Sequence, residues 1–66
     1  MDIVVNGEEK RFPGPLTISG LLDALELEPR KIAVERNLEI VPKSRYEATA
    51  LDDGDRIEIV QFVGGG

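Results

Sequence analysis

Neither cysteine, histidine nor tryptophan occurs in this chain of 66 residues. Without cysteine there is no disulfide. Without cysteine or histidine a structural zinc would rest on carboxylates alone, a poor ligand set for that ion. The same absences remove the commonest nucleophile and the commonest general base, which leaves Ser19, Ser44, Tyr46, lysines and carboxylates for any chemistry. Neither serine lies in a G-x-S-x-G elbow, and no G-x-x-x-x-G-K-[ST] run is present to cradle a nucleotide phosphate. The adjacent acids Glu8-Glu9 and Asp52-Asp53 fall in turn-like stretches, where neighbouring carboxylates are solvated rather than poised for catalysis. An independent enzyme is not expected. Long apolar runs are missing too. Nothing approaches the roughly 20 residues that span a bilayer. Met1 leads straight into "DIVVNGEE" without a secretory pattern, so a soluble, cytoplasmic protein is expected.

Positive charge is scarce, with 8 basic against 13 acidic residues and a net charge of −5. Nucleic-acid binders carry the opposite footprint, so that class is disfavoured. An acidic surface permits steering toward a basic protein partner. The length predicts one domain over residues 1–66. A chain this short buries only about 60% of its unfolded surface, so its stability is marginal.

What is present is a regular alternation of short patterns. "DIVV" followed by "NGEEKRF" predicts a hairpin, in which Asn6-Gly7 supplies the positive φ angles of the tight turn. Period-two alternation puts Met1, Ile3 and Val5 on one face and Val4 on the other. "TISGLLDALEL" predicts the main helix, with Thr17 as N-cap and Ile18, Leu21, Leu22 and Leu25 in one apolar stripe. Gly20 within it predicts a close approach to the sheet, and Pro29 marks the end. "KIAVERN" and "LEIV" predict a third and a brief fourth strand with a turn at Asn37, followed by one helical turn near Ser44–Tyr46. "DDGD" is a tight turn, and "RIEIVQF" is the clearest strand. The order of elements predicts an α+β domain, a five-stranded mixed sheet packed on one helix, with the last strand beside the first and the tail leaving at the sheet edge. If Ile3, Val5, Ile57 and Ile59 face the helix, then Val4, Val60 and Phe62 face away as an apolar patch for a partner.

The chain stops on "QFVGGG". Residues 1–62 are expected to form the folded body and residues 63–66 a flexible tail reaching roughly 13–14 Å. Gly64, Gly65 and Gly66 carry no Cβ, so such a tail fits a narrow channel in another protein's active site. The carboxylate of Gly66 is inert until activated. Attack on the α-phosphate of ATP would turn it into an acyl-adenylate, open to displacement by sulfur or an amine. The other readings are an idle terminus and a cloning remnant.

"VNGE", the stretch "AVERNLEIVPKSRYEATALDDGDRIEIVQF" and the glycine-terminated tail resemble the ThiS sulfur carriers of thiamine biosynthesis. The resemblance covers nearly the whole chain. It implies a ubiquitin-like β-grasp fold and a carrier acted on by other enzymes. A ThiF-like enzyme would adenylate Gly66 with ATP and magnesium, neither of them bound by this chain. A persulfide enzyme would supply sulfur to form a thiocarboxylate, and a ThiG-like thiazole synthase would take the sulfur into the thiazole ring. Gly65 and Gly66 match the family's terminal pair, and Gly64 is an extra glycine. Val4, Val60, Phe62 and Val63 are the candidate partner-binding residues. The small subunit of molybdopterin synthase and a ubiquitin-like protein modifier are the alternatives. The absence of proline in "QFVGGG" favours the thiazole role over the molybdopterin one.

Overall fold

A computed structural model describes residues 1–62. Strand β1 (Asp2–Val5) turns through Asn6 and Gly7, at φ 49° and 82°, into β2 (Glu8–Arg11). These two left-handed residues give the hairpin the twist its strands require. Helix α1 (Ile18–Ala24) follows, and the Thr17 side chain caps it by accepting a hydrogen bond from Gly20 N at 3.0 Å. A 3-10 turn at Pro29–Lys31 leads into β3 (Ile32–Arg36), which is followed by β4 (Glu39–Val41). A second 3-10 turn at Lys43–Arg45 and an irregular stretch precede β5 (Arg56–Gln61).

The sheet order is β2-β1-β5-β3-β4, with β1 and β5 parallel and the remaining pairs antiparallel. The last strand does lie beside the first, as expected. It is the central strand, however, so the chain leaves from the middle of the sheet and not from its edge. The reason is that β5 has partners on both sides: β1 on one and all five residues of β3 on the other.

One face of the sheet packs on the helix. Ile3, Val5, Ile32, Val34 and Ile57 meet Ile18, Leu21 and Leu22, and Tyr46 and Leu51 complete the buried cluster. Leu25 and Leu27 pack against its margin. The helix is shorter than its apolar pattern. It stops because Glu26 adopts φ 58°, Glu26 N donates to Asp23 O, and Leu27 N donates to Leu22 O. That is a Schellman C-cap with glutamate where glycine is usual, and it places Leu27 back over Leu22. Gly20 approaches its own lead-in rather than the sheet. A Cβ there would stand 3.0 Å from Leu16 Cδ1 and 3.4 Å from Thr17 Oγ1.

Candidate functional site: the end of β5 and the open sheet face

Two asparagines hold β5, one at its middle and one at its start. Ile59 N donates to Asn6 Oδ1 at 2.7 Å, and Asn6 Nδ2 donates to Ile59 O at 3.2 Å. The side-chain amide thus behaves as one more residue of β1 and continues the parallel ladder beyond Val5. At the start of the strand Arg56 N donates to Asn37 Oδ1 at 2.9 Å. Asp55, buried to 6% exposure, gathers the neighbouring loop: it accepts from Arg36 Nε at 2.8 Å, Asn37 Nδ2 at 3.0 Å and Asp52 N at 2.8 Å. Burial alone would raise the Asp55 carboxyl, but these three donors outweigh it and hold the group below the usual aspartate value. The adjacent acids of the turn are structural: Asp52 pairs with Arg36 at 3.0 Å, and Asp53 Oδ1 accepts from Asp2 N at 2.7 Å. Tyr46 lies in the core, and burial raises its hydroxyl. Among the described residues, no group of three or more acidic side chains is placed to hold a metal ion.

The strand therefore delivers the chain to a fixed point. Phe62 N donates to Lys31 O at 2.8 Å, which pins the last described residue to the sheet. The Phe62 ring stays 52% exposed, with Lys43 Nζ 5.4 Å from its centroid. Lys43 is itself held, since its Nζ donates to Ile32 O at 2.9 Å. An ammonium over an aromatic face is attractive, so the ring is oriented while remaining accessible. Val60, on the same face, is 59% exposed and stands opposite Ala33.

Val4 does not join this patch. It is half-buried and in register with Arg56, four residues before Val60 on β5. At the strand rise of about 3.3 Å per residue, that is a separation of about 13 Å along the strand, with Glu58 between. Further exposed apolar side chains lie the other way, across β3 on β4 and its hairpin. Ile40 is 76% exposed and Leu38 88%. Neither was expected from sequence, although the parity of "LEIV" carried the signal: with Val41 packed on the core, Ile40 points outward. Val63, Gly64, Gly65 and Gly66 lie outside the described residues.

A family model described as the ThiS family matches residues 3–66. The chain belongs to the ThiS family. A sulfur carrier protein ThiS from Bacillus subtilis is 54% identical over 63 residues, covering 94% of this chain and 96% of that protein. The crystal structure of a thiamine biosynthesis protein (ThiS) from Geobacter metallireducens superposes with a TM-score of 0.86 at 35% identity, each chain covered in full. The ubiquitin-like β-grasp expected of the family is thus the observed fold. A protein named thiazole synthase from Paramagnetospirillum magneticum is 56% identical over all 66 residues, which make up 20% of its length. A second protein of that name, from Magnetococcus marinus, is 44% identical over the same span and share. The ThiS-like chain described here therefore spans about one fifth of the length of these two relatives.

Proposed function

We propose that this chain is a sulfur carrier of thiamine biosynthesis whose working group is the main-chain carboxylate of Gly66, used in the cytoplasm by partner enzymes. The observation that carries the reading is Phe62. Its backbone is anchored to Lys31 at the end of the central strand, so the residues that follow it start from a fixed place. Family membership supports the same reading, as does the Bacillus subtilis relative named sulfur carrier protein ThiS.

The chemistry divides between the carrier and its partners. A ThiF-like enzyme supplies ATP and magnesium. A Gly66 carboxylate oxygen attacks the α-phosphorus, pyrophosphate leaves, and an acyl-adenylate results. A persulfide sulfur then attacks the carbonyl and AMP leaves. A thiol cleaves the resulting S–S bond, forming a disulfide on the donor and a thiocarboxylate on Gly66. A ThiG-like thiazole synthase takes that sulfur for the thiazole ring. Glycine suits both transfers because no side chain hinders approach to the carbonyl. Val60 and Phe62 dock the activating enzyme beside the departing tail, and Gly64, Gly65 and Val63 serve as the lead. The body itself supplies no catalytic side chain.

Intact mass spectrometry of the native protein tests this. After incubation with MgATP, the cognate adenylating enzyme and a persulfide donor, the protein should gain the mass of one oxygen-to-sulfur exchange, localised to Gly66. An unchanged mass with a demonstrably active adenylating enzyme, or a native protein without a free carboxyl at Gly66, overturns the reading.

A further inference from the structure

We propose that the carrier meets a thiazole synthase along an oblique band of its open sheet face. The band runs from Phe62 through Val60 and Ile40 to Leu38, and the opposed carboxylates Glu35 and Glu58 within it select a partner surface that brings a basic side chain between them. This deepens the sulfur-carrier reading and rests on it.

The strand register builds the band. Val60 stands opposite Ala33, and Glu35, two residues along, stands opposite both Glu58 on β5 and Ile40 on β4. The β3–β4 turn then carries Leu38 at the end of the sheet away from Phe62. Single exposed apolar side chains are ordinary, but Val60 on β5, Phe62 just past its end and Ile40 on β4 surround the Glu35–Glu58 pair on the open face, with Leu38 exposed at the adjoining hairpin tip, and such a grouping marks a contact surface. Leu38 adds a second sign, because it holds φ 72° at a hairpin tip while 88% exposed. A bulky side chain in the left-handed region costs free energy, and here no burial offsets it.

The charges say what covers the band. Side chains directly opposite on neighbouring strands stand about 5 Å apart at Cβ, and like charges so placed destabilise the sheet. Among the described residues Glu35 and Glu58 make no ion pair. Arg36 is engaged with Asp52 and Asp55, and Lys43 with Ile32 O and the Phe62 ring, so neither neutralises the pair. Arg56, on the same face as Glu58, forms no pair with it either. A partner side chain of positive charge relieves the repulsion and gains two acceptors, while apolar partner groups cover Ile40 and Val60. The partner is a thiazole synthase because in two relatives of that name a segment similar to this whole chain belongs to the same polypeptide.

Binding of the unloaded carrier to the cognate thiazole synthase, followed across ionic strength, tests the band. The double variant Leu38→Gly/Ile40→Thr should weaken binding about tenfold or more, the size expected for loss of buried anchors. Glu35→Gln/Glu58→Gln should slow association and flatten its salt dependence. Glu8→Gln/Asp23→Asn removes the same charge from the helix side and should leave both unchanged. Circular dichroism checks that every variant is folded. Wild-type binding by the first two variants, an equal loss in the third, or no binding by the wild type overturns the band. Sulfur loading measured separately tells the two failures apart: a wild-type carrier that never takes up sulfur sinks the carrier reading, whatever the band does.

Discussion

Leu38 holds a conformation that its side chain opposes and a position that gives it no compensation. An L-residue in the left-handed region costs about 1–2 kcal/mol, a cost glycine does not bear. With 88% of its surface exposed, the side chain has almost no buried contact to lose. Leu38→Gly should therefore stabilise the free protein by about 1 kcal/mol, less the entropy glycine adds to the unfolded chain. Urea denaturation reads this as a higher midpoint at unchanged slope. A lower midpoint would mean that Leu38 packs in solution and is no exposed anchor. This residue also marks where sequence reading stopped. Asn37 was legible as a turn because asparagine tolerates positive φ, whereas leucine carries no such signal, so neither its backbone nor its exposure was expected. Val4 failed for a different reason. Alternation gives the face of a residue but not the register between strands, and register sets Val4 beside Arg56 and Ile40 beside Glu35.

The elements around β5 depend on polar side chains more than their patterns suggest. Asp55 joins the loop before β5 to Arg36 and Asn37 at the end of β3, and its carboxyl titrates below the ordinary value in the folded protein. A depressed folded value contributes stability that is fully present above the unfolded aspartate value, about 3.9, and is lost as pH falls through the folded one. Unfolding free energy should fall on acidification below about pH 5. Asp55→Asn should cost about 2 kcal/mol at neutral pH, the scale of a charge-assisted hydrogen bond, and should flatten that acid limb. Asp2 and Glu28, also lowered by their arginine neighbours but exposed, leave a residual slope. A variant with the wild-type acid limb would show that Asp55 is not its source. "DDGD" was legible as a turn through its glycine, but not as a clamp, because the partners Arg36 and Asn37 lie far along the chain. The helix end was misjudged for a related reason. The stop comes from Glu26 in a glycine-like conformation, and the apolar stripe continues past it into Leu27.

At the scale of the molecule, the layers and the pairing of the last strand with the first were legible, because one apolar helix stripe and one apolar sheet face admit a single two-layer solution. The central place of β5 was not, since nothing in an alternating pattern says whether a strand has a neighbour on one side or on both. That placement matters for function. β5 is flanked by β1 at Arg56 and Ile57 and by β3 along its length, and Phe62 N still donates to Lys31 O, so the chain is held to the sheet up to Phe62. The body and the reactive group should then be separable by mutation. Gly66 has no side chain to bury, and the apolar cluster from Ile3 to Ile57 closes without it. Deleting Gly66 should shift unfolding free energy by less than about 0.5 kcal/mol, as for surface changes away from specific contacts. It leaves the open face as it was, and with it the docking proposed for Val60 and Phe62. The carboxylate moves back to Gly65, about 3.5 Å short of the place proposed for it in the partner's active site, and a misplacement of even about 1 Å can cost a hundredfold in rate. Sulfur loading should therefore be lost while binding to the adenylating enzyme persists, measured by intact mass and by titration on the same preparation. A deletion variant that loads sulfur at the wild-type rate would mean that the partner reads the terminus without regard to its distance from Phe62, and the anchored origin of the tail would then have no catalytic role.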